Sequence, residues 1–384
     1  MIMDLTETQQ LMLGKVESRV KYSVANKTDI PKILLIKLGA VGDLVVASPF
    51  FDQLRKHFPH SEIVLVVGRS SYAAAENNPN IDRIILADDY VLYHGKLLTR
   101  ALEFFRLILK LRKEEFDLTF ILHRDWPFNL LVYLTGVPVR VGFGRGREGV
   151  FLTHPTIVCQ VQNERESYLD LLRKMNIPAV YRQTYYFLSD EEKDFLGLFL
   201  ERYGIGSDEE MIAISPGGGD NAKSTMVTKR WPAQNYIELI QRLQSERSCR
   251  VILCGGPSDR EITNSITRSC PDCLDVTDLS FGDMASIFRR CSIFIGNDSA
   301  PNHIAASMGI PCVGIFGPTD PRQWAPPDAH SSVIIHEVEC HPCFKDGRFP
   351  DCSHMKCMTS ITADDAWNHV EPILAQNSVQ VSPS

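Results

Sequence analysis

No run of eighteen or more apolar residues occurs in this 384-residue sequence, which removes the membrane-crossing helix from the possible elements. The first thirty residues also lack the apolar stretch of a secretory leader, because Asp4, Glu7, Lys15, Glu17, Arg19 and Lys21 are spread through them. A cytoplasmic chain is expected. Short-period repeats and low-complexity tracts are missing too, so repeat architectures are set aside. The turn after the first apolar run, GAVGD (39–43), also departs from the spacing of the dinucleotide fingerprint G-x-G-x-x-G, which argues against a dehydrogenase, and no convincing Asp-x-Asp pair at a strand end stands ready to hold a divalent ion. With 44% hydrophobic and 23% charged residues, an ordinary globular chain long enough for two cores remains.

Eleven cysteines would suggest disulfides in a small secreted domain, but most stand singly in apolar, strand-like runs, such as Cys254 in VILCGG and Cys312 in IPCVGIF. Reduced core thiols are the reading. The net charge of −7 is unevenly spread. Residues 1–184 carry 24 Lys and Arg against 20 Asp and Glu, a balance of +4, and the remainder carries 16 against 27, or −11. A less acidic first half suits an anionic partner there; scatter in surface charge gives the same count. No nucleic-acid partner is expected.

The apolar runs 32–37 (KILLIK), 62–67, 83–86, 118–122 and 139–143 read as buried parallel strands, with helices at 45–57 and 96–113. The pattern restarts with strands at 211–215, 250–254, 292–295 and 312–316 and helices at 233–245 and 283–289. This is α/β architecture: two doubly wound domains, with a ligand cleft at the carboxyl ends of the strands. The expected division is an extension over 1–30, a first domain over 31–184, a second over 185–365 and a tail over 366–384.

Three segments carry candidate chemistry. In KLGAVGD (37–43), Gly39 and Gly42 allow a tight strand-to-helix turn, and Asp43 stands in the first turn of the helix, as a cap or as a general base at the cleft mouth. In ISPGGGDNAKSTMVTKRW (214–231), a glycine turn with Gly217 and Gly218, followed by Lys229, suits a phosphate; a solvated surface loop is the plain alternative. In IFIGNDSAPNHI (293–304), a strand runs into a helix whose start holds Asp298, Ser299, Ala300 and His303, where free N–H groups favour a diphosphate unless the polar side chains only cap. The later turn with Gly317 and Thr319 should stand beside that helix.

These stretches resemble glycosyltransferase family nine, the heptosyltransferase family. KILLIKLGAVGDLVVASPFFDQLRKHFP, SPGGG…TKRWPAQNY, GNDSAPNHIAASMGIPCVGIFGPTDP and CHPCF…CSHMKCM look like its successive motifs, in its order over 32–358. The resemblance implies a GT-B fold of two Rossmann-like domains, an acceptor held by the first and an ADP-sugar by the second, and transfer with inversion. By matched position, Asp43 would be the catalytic base, Lys229 would meet the donor's phosphates, and Asp298, Ser299 and His303 would form the donor motif. The family often has glycine where this chain has Ala300. The implied reaction moves heptose from ADP-heptose to the inner core of lipopolysaccharide, without a required cofactor. The alternatives are another sugar nucleotide or glycan acceptor on the same fold, a sugar-nucleotide epimerase, and a non-catalytic nucleotide-binding protein.

On the acceptor side, Gly42, His123, Arg124 and Arg145 are candidate contacts, with Arg140 and Arg147 nearby in sequence; surface solvation is the alternative for the cations. Cys340, Cys343, Cys352 and Cys357, with His341 and His354 among them, supply enough soft ligands for a structural zinc, although the family resemblance, which includes cysteines here, does not itself establish a metal. The basic, leucine-rich segment 96–113 fits either a helix packed on its sheet or one resting on an anionic inner-membrane surface.

Overall fold

The computed structural model describes residues 30–380, apart from 145–146, 159–160, 220–221, 224, 327–330 and 345–348. Residues 1–29 of the expected extension therefore lie outside the described residues. Strands β1 (Lys32–Ile36), β2 (Glu62–Gly68), β3 (Arg83–Ala87), β4 (Leu118–Ile121), β5 (Val139–Phe143) and β6 (His154–Thr156) form one parallel sheet in the order β3-β2-β1-β4-β5-β6. Strands β7 (Glu210–Ser215), β8 (Cys249–Leu253), β9 (Leu274–Asp275), β10 (Ile293–Asn297), β11 (Cys312–Phe316) and β12 (Ser332–Ile335) form a second, ordered β12-β11-β10-β7-β8-β9. Read from the other edge, the second order repeats the first. Each sheet reverses direction once, between β1 and β4 and between β7 and β10, and the crevice at such a reversal is where doubly wound sheets take ligands.

Both faces of each sheet are covered, which is why the strands read as continuous apolar runs. In β1, Ile33 and Leu35 point to the side of helix α1 (Val41–His57), whereas Leu34 and Ile36 point toward helices α2 (Leu97–Arg112) and α3 (Trp126–Thr135). Helix α4 (Glu164–Arg173) completes the first layer with Tyr168, Leu169 and Leu172. In the second domain, helices α5 (Asp190–Tyr203), α6 (Ala233–Glu246), α7 (Phe281–Phe288) and α8 (Ala300–Ser307) flank the sheet. One of its apolar clusters takes in Val41 and Val45 of α1, so the two domains meet through buried side chains at the base of the cleft.

The structure alters two expectations. The division at 365/366 falls inside helix α9 (Ala363–Gln380), whose Ala366, Trp367, Val370 and Leu374 are buried in the second core; they cover a sheet face that would otherwise meet water, so there is no separate tail at that point. Helix α2 is more than a layer on its sheet: Leu107, Ile108 and Leu111 are buried and Phe104 is half-buried against them, while Leu97, Leu98, Leu102, Phe105 and Leu109 face solvent.

Candidate active site

The catalytic candidates of the first domain sit at its sheet reversal. Lys37 ends β1 in a buried position, its ammonium over the Tyr168 ring, and donates to Asp43 Oδ2 at 2.8 Å. Asp43 is in the first turn of α1, but the cap residue is Ala40 and no side chain caps this end. The capping alternative therefore falls away: the carboxylate is held by Lys37 and remains partly exposed at the cleft. Gly42, an acceptor candidate, has a packing role. A Cβ there would lie 2.9 Å from His303 Cδ2 and 3.3 Å from Ala300 Cα, so the glycine lets the starts of α1 and α8 touch across the cleft.

His123, a second acceptor candidate, supports the turn. It is buried, stacked on Phe128, and its Nε2 accepts the Leu38 N–H at 2.7 Å, which pins the turn that carries Asp43. Burial pushes the imidazole well below its usual range, with Lys37 adding to the effect, so the ring is neutral. Arg124 forks onto Glu164 at 3.2 and 2.6 Å and lies over Phe143, still partly open. Arg140 occupies the amino end of β5, away from the cleft, and donates to the carbonyls of Phe151 and Val137, which makes it a structural brace. Arg145 and the side chain of Arg147 lie outside the described residues.

Across the cleft, Asp298 is buried and accepts from Lys229 Nζ and Thr319 Oγ1, each at 2.7 Å. Burial pushes this carboxyl up, but the Lys229 ammonium and the hydrogen bonds from Lys229 and Thr319 outweigh it, so the group lies below its ordinary range. Lys229 is thereby aimed at the start of α8, and an ammonium with three donors has capacity left for a phosphate oxygen. Thr319 serves Asp298 instead of facing the cleft, and Gly317 accepts from His341 Nδ1 at 2.6 Å. Ser299 occupies the cap position of α8 without capping it; its hydroxyl donates to the Asn297 carbonyl at 3.3 Å. His303 is buried with Nδ1 unpartnered among the described residues. Burial pushes its pKa down to about 4, against the pull of Asp298 and Asp43, so the ring is neutral near pH 7. Both Asp43 and Lys229 are near enough to act electrostatically on this ring.

The glycine turn after β7 is ordered by residues that the sequence reading passed over. Asn297 donates to the Pro216 and Gly217 carbonyls, both at 2.9 Å, and its Oδ1 accepts from Trp231 N and Tyr236 Oη. Asp259 accepts from Gly218 N, Gly256 N and Arg230 Nη2. Gly218 takes φ +96°, and a Cβ on it would press on Ser299. A buried Asn directly before the donor segment was the available signal for the first hub; for Asp259 only the local bond to Gly256 N could be read from the sequence, because Arg230 and Gly218 are 29 and 41 residues away. The loop also reaches the first domain, through Lys223 to Asp125 at 3.1 Å and the Ala222 carbonyl to His94 at 2.6 Å.

The four late cysteines are reduced and line one small cavity with Pro318, Phe349 and His354. Burial lifts the Cys357 thiol to about 11, and the other three thiols add to the shift. No three His, Cys, Asp or Glu side chains are grouped tightly enough to hold a metal among the described residues, which omit 345–348.

The motif order and this two-sided cleft have counterparts among known proteins. The profile of glycosyltransferase family 9 (heptosyltransferase) matches residues 104–354. The chain belongs to that family. This family 9 chain is 25% identical over 295 residues to lipopolysaccharide heptosyltransferase 3 of Escherichia coli, covering 74% of the chain and 83% of the relative. Its fold is similar to that of a family 9 glycosyltransferase from Veillonella parvula, with a TM-score of 0.73 and 21% identity over 91% of this chain and 98% of that one. It is also similar to E. coli ADP-heptose lps heptosyltransferase II, with a TM-score of 0.69 and 21% identity over 90% and 99% of the two chains. The fold is GT-B and the protein is a glycosyltransferase.

Proposed function

We propose that this glycosyltransferase moves heptose from ADP-heptose to the inner core of lipopolysaccharide at the cytoplasmic face of the membrane, with inversion at the anomeric carbon. The observation that carries the reading is the opposition of an uncapped carboxylate, Asp43, to the Lys229–Asp298 pair and the start of α8. Asp43 takes the proton of the acceptor hydroxyl as its oxygen attacks the anomeric carbon. The bond from that carbon to the β-phosphate oxygen breaks, and ADP leaves. Its new charge is met by Lys229 and by the N–H groups of Ser299 and Ala300, which precede the first intrahelical bond. Pro301 supplies no N–H, so Lys229 carries most of that stabilisation. These cationic and dipolar groups leave no step that requires a divalent ion. Family kinship and the names of the relatives support heptose and lipopolysaccharide.

The test is transfer from ADP-heptose to deep-truncated lipopolysaccharide, with and without EDTA, followed by acceptor mass. Asp43→Asn should bind the donor normally and transfer about 10²- to 10⁴-fold more slowly. Normal turnover by that variant would remove Asp43 as base, and absence of ADP-heptose binding by the native chain would point to another donor.

A further inference from the structure

Helix α2 carries two apolar faces, and only one is used. Phe104, Leu107, Ile108 and Leu111 pack into the first domain. On the other side, Leu98, Leu102, Phe105 and Leu109 are exposed by 71%, 60%, 58% and 46%, and their spacing of four, three and four residues places them on a single stripe. Leu97, at the start of the helix, is exposed as well. The neighbouring helix α3 exposes Trp126, Tyr133 and Leu134. Such a surface is unusual for a protein that meets only water.

The charges on and beside the helix select the occupant. Arg100, Arg106, Lys110, Arg112 and Lys113 lie on α2 or at its end, against Glu103 within the helix and Glu114 and Glu115 just past it, of which Glu114 is held by Lys32 and Arg83. Glu103 is taken by Arg106, leaving the other four without an ion pair among the described residues. Lys110 and Lys113 project beside the stripe on one side and Arg112 on the other. A second copy of the same basic face would be repelled, whereas anionic headgroups would complement the cations while the leucines and Phe105 enter the acyl boundary. Trp126 and Tyr133 have the amphipathic rings that settle at that depth. Helices α2 and α3 both begin on the side of the first sheet's carboxyl ends, the side on which Asp43 stands.

We infer that the α2 stripe, with its flanking cations, is a docking surface for an anionic phospholipid bilayer. The inference goes beyond the proposed reaction and does not depend on which sugar is transferred. Its test is co-sedimentation of the full chain with phosphatidylglycerol-containing vesicles and with pure phosphatidylcholine vesicles, at low and physiological salt. Binding should favour the anionic vesicles by at least about tenfold and weaken with salt. A variant with Leu98→Gln, Leu102→Gln, Phe105→Gln and Leu109→Gln should lose at least about tenfold of that binding while keeping turnover on a detergent-free, short soluble acceptor. A second variant, with Lys110→Gln, Arg112→Gln and Lys113→Gln, should lose the anionic preference. Equal binding to both vesicles, binding unchanged in the Gln-stripe variant, or no vesicle binding with a dimer that the stripe variant dissociates would each overturn the assignment.

Discussion

Gly42→Ala isolates the contact on which cleft closure depends. An added methyl would stand 2.9 Å from His303 Cδ2 and 3.3 Å from Ala300 Cα, closer than the 3.5–4.0 Å at which carbon atoms attract. His303 is buried and the second neighbour is backbone, so neither yields without moving the start of α8. Overpacking of this kind costs about 1–3 kcal/mol. Replacing Gly by Ala inside a helix returns up to about 1 kcal/mol. The helix gain exists in open and closed forms alike, whereas the clash exists only when α1 and α8 touch. Global stability should therefore stay within about 1 kcal/mol, and closure should weaken by the clash alone, about 1–3 kcal/mol, a loss of roughly five- to 150-fold in kcat/KM. The assay is steady-state transfer beside ADP affinity by calorimetry and average shape by small-angle scattering. Reduced transfer with intact ADP binding and a more open average shape is expected. Native turnover in a normally folded variant would mean that catalysis does not use the α1–α8 contact.

Further expectations concern His303 and Lys37. His303 titrates at about 4 in the folded chain and near 6.5 when unfolded, so between those values the unfolded chain holds more protons. Its contribution to stability is complete above about pH 6.5 and is lost as pH falls toward 4, by about 3 kcal/mol at most. Denaturant unfolding between pH 7.5 and 4.5 should show this slope in the native chain and a shallower one in His303→Gln; equal slopes would assign the acid sensitivity elsewhere. Lys37→Met removes the cation that holds Asp43, and should lower kcat by roughly ten- to a hundredfold at unchanged donor KM, with partial recovery in Lys37→Arg. A raised donor KM with normal kcat would place Lys37 in donor binding instead.

Much of the fold was legible because buried parallel strands must be apolar on both faces, and runs such as KILLIK and EIVLVV have few other uses. The glycine turns were legible for a related reason: close backbone approach excludes larger residues. Edge elements were harder. Strands β6, β9 and β12 are two to four residues long, too short to show a period. Helix α9 read as a tail because its apolar positions acquire meaning only against the second sheet.

For the site, local pattern named the residues near the chemistry: Asp43, Asp298, Ser299 and His303 lie where a strand gives way to a helix, and Lys229 just ahead of helix α6 at the end of the glycine-rich loop. Local pattern could not say what each side chain touches. Whether Asp43 caps a helix or faces a cleft depends on Lys37 and the tertiary position of α1; whether His123 meets a ligand depends on the Leu38 N–H, 85 residues away. Exposure of the second α2 stripe was likewise decided by packing, since one sheet face can cover only one side of a helix. The sequence determined which groups were available and the spacing that makes parallel sheets. The tertiary structure decided partners, burial and protonation, because those are set by neighbours distant along the chain.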